Sequence, residues 1–133
     1  MTTGDGVRHW IIDGNNVYGS RPDGWWNDRS AAATRFTQRV AVWCRAHADE
    51  VTIVFDAPVD DTTLELGGGN LAVVEAPRRG RDAADDHIVE LAAARLGTDE
   101  SLTVVTSDRG LRARLPESIH VVGAGRFRSM IGY

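Results

Sequence analysis

Residues 8 to 17 read Arg8-His9-Trp10-Ile11-Ile12-Asp13-Gly14-Asn15-Asn16-Val17. Three consecutive large apolar residues halt at an aspartate and a glycine, the pattern of a buried strand running into a turn. The same pattern recurs downstream. Val51 to Phe55 is an apolar strand ending at Asp56, and Leu71 to Val74 is another. Leu102 to Thr106 ends at Ser107-Asp108, and Ile119 to Val122 is a fifth. Helical periodicity falls between them. Asp28 caps a helix to about Ala48, with Phe36, Val40, Trp43, Cys44 and His47 on one face. Asp82 caps a second helix to Leu96, with Ile88, Leu91 and Ala92 on its stripe and Gly97 as terminator. Leu111 to Leu115 is a short helical turn stopped by Pro116, and Arg126 to Ile131 is a last short helix.

The strands are continuous apolar runs rather than alternating ones, so both faces of the sheet are covered, as in parallel α/β folds. Strand–helix alternation predicts the same class. Residues 57–70 are just long enough for a crossover, and Gly67-Gly68-Gly69 predicts a mobile loop there. No repeat or linker divides the 133 residues, so a single domain spanning 1–133 is expected, with residues 1–7 as a loose N-terminus.

Asp13, Asp56 and Asp108 each follow a strand directly or by one residue. Parallel strands end at a common edge, where open α/β folds bind ligands. Asp85 lies in the first turn of the helix after the third strand, which begins near that edge. Each acid alone has an ordinary reading. Asp13 suits a turn, Asp108 a helix cap, Asp85 a helix dipole and Asp56 a loop. Those readings do not explain why all four fall at one edge. Converging carboxylates need a shared proton or a cation between them. Oxygen donors without a cysteine or paired-histidine set favour Mg²⁺ or Mn²⁺ over Zn²⁺.

Composition narrows the chemistry. All 15 basic residues are arginine, which excludes lysine-dependent mechanisms such as a P-loop or a Schiff base. Cys44 is the single cysteine, which excludes an intrachain disulfide and a cysteine-rich zinc site. No apolar run approaches the ~18 residues of a membrane span, and Met1 to Arg8 lacks the apolar segment of a secretory signal. A cytoplasmic protein without a membrane partner is expected. The net charge of −4 leaves room for a local arginine patch beside an acidic centre.

Four motifs together resemble the NYN domains of the PIN-like ribonuclease superfamily, in the YacP-like branch. Asp13-Gly14-Asn15-Asn16-Val17 resembles the opening motif, an aspartate with an asparagine three residues on. Val54-Phe55-Asp56-Ala57 resembles the second-strand motif. Ala84-Asp85-Asp86-His87-Ile88 is similar to the helix motif, and Val104-Val105-Thr106-Ser107-Asp108-Arg109 to the fourth-strand motif. Order and spacing match over about residues 8–131. The resemblance implies a three-layer PIN-like domain, a five-stranded parallel sheet of order 3-2-1-4-5 with helices on both faces. It implies a metal-dependent endoribonuclease, in which Asp13, Asp85 and Asp108 bind one or two Mg²⁺ or Mn²⁺ ions. Asn16 would orient the metal shell or the substrate, and Asp56 would be a supporting acid. Ala83 departs from the branch's usual threonine. The doubled acid leaves Asp85 and Asp86 as candidates. Asp85 is preferred because it follows the alanine and precedes Ile88 by three, with Asp86 and Ser107 as supporting residues.

Arg78, Arg79 and Arg81 precede the Asp85 helix and are candidates to clamp RNA phosphates, since guanidinium matches phosphate bidentately. Arg109, beside Asp108, is a further candidate. Trp25 and Trp26 fit a seal over the core better than a base-stacking platform. The four histidines share no ligand spacing. A non-catalytic RNA- or protein-binding module is the alternative. A haloacid-dehalogenase-like phosphatase needs a second aspartate where Asn15 stands, and a Rossmann site needs a glycine-rich turn that is absent. RNA is the expected partner, presented by the ribosome or another protein.

Overall fold

The computed structural model describes residues 8–56, 58–80, 82–96 and 101–133. Five strands alternate with helices: β1 (Arg8–Asp13), α1 (Gly14–Gly19), α2 (Arg29–Cys44), β2 (Glu50–Phe55), α3 (Asp61–Leu64), β3 (Leu71–Glu75), α4 (Ala83–Arg95), β4 (Ser101–Val105), α5 (Arg109–Arg114), β5 (His120–Val122) and α6 (Ala124–Ile131). The strands form one sheet of order β3-β2-β1-β4-β5, and every pairing is parallel. This is the 3-2-1-4-5 arrangement expected from the sequence. The chain winds outward through β2 and β3, then crosses back to β4 on the other side of β1 and continues outward to β5. β1 and β4 therefore meet at the topological switch point, where a crevice opens beyond the strand ends.

The apolar runs are explained by burial on both faces. Trp10 and Ile12 face one layer with Phe36, Val40, Phe55 and Phe127. Ile11, one residue out of phase, faces the other layer with Val54, Ile88, Val104 and Leu111. An alternating polar strand could not serve two apolar layers. Asp28 caps α2, its Oδ1 accepting the Ala31 amide at 3.0 Å. Trp43 fills the gap between α2 and α6, edge-on to Trp10 at 5.2 Å and Phe127 at 5.3 Å. His47, beyond the helix end, packs on Trp43 at 4.3 Å.

Three local expectations are corrected. The turn expected after the first strand is the helix α1, and a 3-10 turn follows at Trp25–Asn27. Residues 58–70, expected as a crossover with a mobile glycine loop, hold the short helix α3, and Gly68 and Leu71 exchange backbone hydrogen bonds of 2.8 and 3.0 Å. Asp82 occupies the N-cap position of α4 without a side-chain capping bond. Asp56 takes over instead, its Oδ1 accepting the Ala84 amide at 3.3 Å from the end of β2. Gly97, the expected helix terminator, and residues 1–7 lie outside the described residues. No helix among the described residues is long and apolar enough to cross a membrane.

Candidate active site

Beyond the strand ends lies an open cleft of about 420 Å³ lined by Asp13, Asn15, Asn16, Asp56, Asp82, Ala84, Asp85 and Asp108. Residues up to 95 positions apart in the chain meet there because parallel strands end at one edge. Asp13, the last residue of β1, is 4% exposed. Its Oδ2 accepts a hydrogen bond from the Thr106 hydroxyl at 2.8 Å. The same hydroxyl oxygen accepts the Asp108 amide at 3.1 Å. Thr106 thus ties the acid at the end of β1 to the one that opens α5. Asp108 in turn caps α5, its Oδ1 accepting the Leu111 amide at 2.9 Å. The ordinary capping role and a place in the cleft coexist in that side chain, because the capping bond uses one oxygen.

Two adjacent asparagines brace the cleft from α1. Asn15 accepts the Asp56 amide at 2.8 Å through Oδ1 and donates to the Tyr18 hydroxyl at 3.0 Å. Asn16 accepts the Ser107 amide at 2.8 Å. The loops after β2 and β4, which carry Asp56 and Asp108, are therefore pinned to one short helix. Ser107 points away from the cleft, its Oγ accepting the Ala124 amide at 2.7 Å and so starting α6.

The electrostatics follow from this crowding. Burial pushes the Asp13 carboxyl up to about 7; the Thr106 hydrogen bond opposes the rise, and the charges of Asp85, Asp108 and Asp56 add to it. Asp85 is raised to about 6, first by burial and then by Asp108, Asp82 and Asp56, with Arg114 opposing. Near neutral pH the cleft thus holds a shared deficit of positive charge. The two candidate acids at the start of α4 separate here. Asp85 lines the cleft, whereas Asp86 forms a 2.9 Å ion pair with Arg114 of α5.

The donor set is entirely hard oxygen, the chemistry that suits Mg²⁺ or Mn²⁺. Among the described residues no three histidine, cysteine, aspartate or glutamate side chains already form a coordinating set.

Of the arginines singled out, Arg78 donates to both carboxylate oxygens of Glu90 at 3.3 Å. That bond is the first cause of the lowered Glu90 carboxyl. Arg79 and Arg109 are exposed, and Arg81 lies outside the described residues. Trp25 packs edge-on against Tyr18 at 5.8 Å and seals the core, as expected, but Trp26 is 58% exposed. Thr106, Asn15 and Asp82 are the cleft residues that sequence reasoning did not single out. Thr106 has one local signal, a polar residue closing the apolar run Leu102–Val105.

No protein-family model matches the chain, and no curated protein matches it in sequence. Among solved structures the chain is similar to Rae1 (YacP) from Bacillus subtilis, with a TM-score of 0.75 and 21% identity over 95% of this chain and 74% of that one. The W164L mutant of the same protein aligns with the same score and identity and is covered over 76%. At this identity the likeness concerns architecture: the chain shares the α/β fold of Rae1 (YacP), built here on a parallel sheet of order 3-2-1-4-5.

Proposed function

We propose that the protein is a metal-dependent endoribonuclease that hydrolyses RNA phosphodiester bonds in the cleft of Asp13, Asp56, Asp85 and Asp108. The observation that carries this reading is the convergence of those acids at the switch point, with burial and mutual charge raising Asp13 to about 7 and Asp85 to about 6. Raised, coupled carboxylates in a cleft are the signature of a site built for a proton or a cation. Asp13, Asp85 and Asp108 would hold Mg²⁺ or Mn²⁺, which supplies charge neutralisation at the phosphate and a more acidic bound water.

The chain's own residues do the positioning. Thr106 fixes one oxygen of Asp13 and leaves the other for the cleft. Capping of α5 fixes Asp108 in the same way, and the Ala84 amide fixes Asp56. Asn15 and Asn16 hold the loops at a set spacing. Arg79 and Arg109, both exposed, would meet RNA phosphates, and Arg81 is given the same task from its sequence position. Arg78 must first leave Glu90. RNA presented by the ribosome or another protein in the cytoplasm would supply the selection that an open cleft lacks. The second reading, a non-catalytic binding module, draws on the lack of a preassembled three-ligand set among the described residues.

One experiment separates the two. Purified protein and the Asp13→Asn variant are incubated with mixed structured and unstructured RNA in EDTA, Mg²⁺ or Mn²⁺. Internal cleavage that needs metal and disappears in the variant is expected. Equal behaviour of the two proteins under every metal overturns the reading in favour of a binding module.

A further inference from the structure

A second cavity, of about 220 Å³, opens beside the acidic cleft and shares Asn15 and Asp56 with it. It lies between α1, the start of α2 and the connection from β2 to α3. Tyr18 and Phe55 form its apolar part, and Arg29 and Asp60 bring opposite charges to its lining. Its size is below the ~300–1,000 Å³ of drug-sized ligand sites and suits a single flat ring system.

Two features make it more than a packing defect. Asp60 stands at the N-cap position of α3, where an aspartate ordinarily accepts an amide bond, yet its side chain makes none. Arg29 forms no ion pair among the described residues; its guanidinium lies over Trp25, 5.5 Å from the ring centre. The two charges line one cavity without pairing. Such a bracket leaves a carboxylate acceptor and a guanidinium donor for a ligand that presents donors and acceptors on neighbouring edges. Among RNA bases, guanine alone offers two adjacent N–H donors, at N1 and N2, beside the O6 and N7 acceptors that suit arginine. Adenine, cytosine and uracil cannot engage both groups fully. An unstacked base would enter between the exposed Arg29 and Asp60 and meet the buried Tyr18 and Phe55 as the floor, as single-stranded RNA bases enter aromatic-lined pockets.

We propose that this cavity is a guanine-preferring base pocket for the nucleotide next to the scissile phosphate. The word scissile rests on the endoribonuclease reading; the binding of the base does not. The wall shared through Asn15 and Asp56 makes the cavity the cleft's neighbour, and cleavage position would follow from that adjacency.

The test uses guanosine, which carries no phosphate and needs no metal, with adenosine, cytidine and uridine beside it. Backbone amide shifts of Arg29, Ser30 and Asp60 are followed by NMR in the whole protein. Saturable shifts with guanosine, at least tenfold tighter than with the pyrimidine nucleosides, are expected. Arg29→Gln and Asp60→Asn, both at exposed positions, should each weaken binding at least fivefold with an unchanged melting temperature. Cleavage sites in a random RNA pool should cluster beside guanosine, and that bias should flatten in both variants. Equal shifts with all four nucleosides, or none at these residues, overturn the pocket. Base-indifferent cleavage without guanosine binding overturns it and leaves the nuclease standing. Selective guanosine binding without cleavage under any metal supports the pocket and overturns the nuclease.

Discussion

Asp13 is both buried and surrounded by like charge, so its ionisation acts against the fold. Its folded value of about 7 lies above the ordinary 3.8, so the folded state holds the proton more tightly than the unfolded chain does. By linkage, this carboxyl's contribution to metal-free stability is fully present below about pH 4, is lost as pH rises and levels off once pH passes about 7. Asp85, raised to about 6, adds to the same slope. Asp13→Asn keeps the shape and an acceptor for Thr106 while removing the charge. In EDTA it should melt higher than the parent at pH 7.5, by on the order of 5 °C, with little difference at pH 4. A variant that melts lower at pH 7.5 would show that the carboxylate is not strained. Thr106→Val tests the opposite partner. It removes the donor to Asp13 and orphans the Asp108 amide, a loss of about 1–3 kcal/mol. Because the lost bond favoured the carboxylate, the acid limb of any pH–activity profile should move upward; an unmoved limb would detach Thr106 from Asp13.

At the scale of elements, α1 is the part that the sequence reading misses and the site most needs. It has six residues with glycine at both ends, too short and too glycine-rich to announce a helix. Its asparagines look like turn formers because their partners are remote: the Asp56 amide lies 41 positions away from Asn15, and the Ser107 amide 91 from Asn16. The strands were readable because doubly covered strands must be apolar throughout; Asp13, Asp56 and Asp108 were readable because each follows such a run, and Asp85 because it lies in the first turn of a helix. The braces and the Asp56 cap on α4 are tertiary bonds, which local patterns do not encode. Gly14 is another such case. A Cβ there would stand 2.5 Å from Phe55 Cε1, and Phe55 is itself buried. Gly14→Ala should cost about 1–3 kcal/mol by overpacking, read as a lower denaturant midpoint with unchanged m-value. Asn16→Ala frees the Asp108 loop instead. It should reduce cleavage more than it reduces stability, and parallel losses would make the brace merely structural.

Across the whole molecule, acidic net charge must be reconciled with a polyanionic partner. The sequence carries 19 acidic side chains against 15 arginines, so RNA gains nothing from the mean field and depends on where the arginines lie. The fold separates them by edge. Arg79 lies on the connection from β3 to α4 and Arg109 opens α5, both beyond the strand ends that carry the cleft, whereas Arg45 follows the far end of α2, toward the start of β2. If RNA crosses the cleft, only the first pair releases counterions on binding. Each phosphate contact to a single strand contributes about 0.7 to the slope of log affinity against log salt. The double reversal Arg79→Glu with Arg109→Glu should therefore lower that slope by about 1.4, while Arg45→Glu leaves it unchanged. Asp13→Asn, used as the background in both arms, prevents cleavage from blurring the binding signal. Equal slopes for the two reversals would mean that RNA approaches by another face, and the acidic cleft would then lose its claim to the phosphodiester.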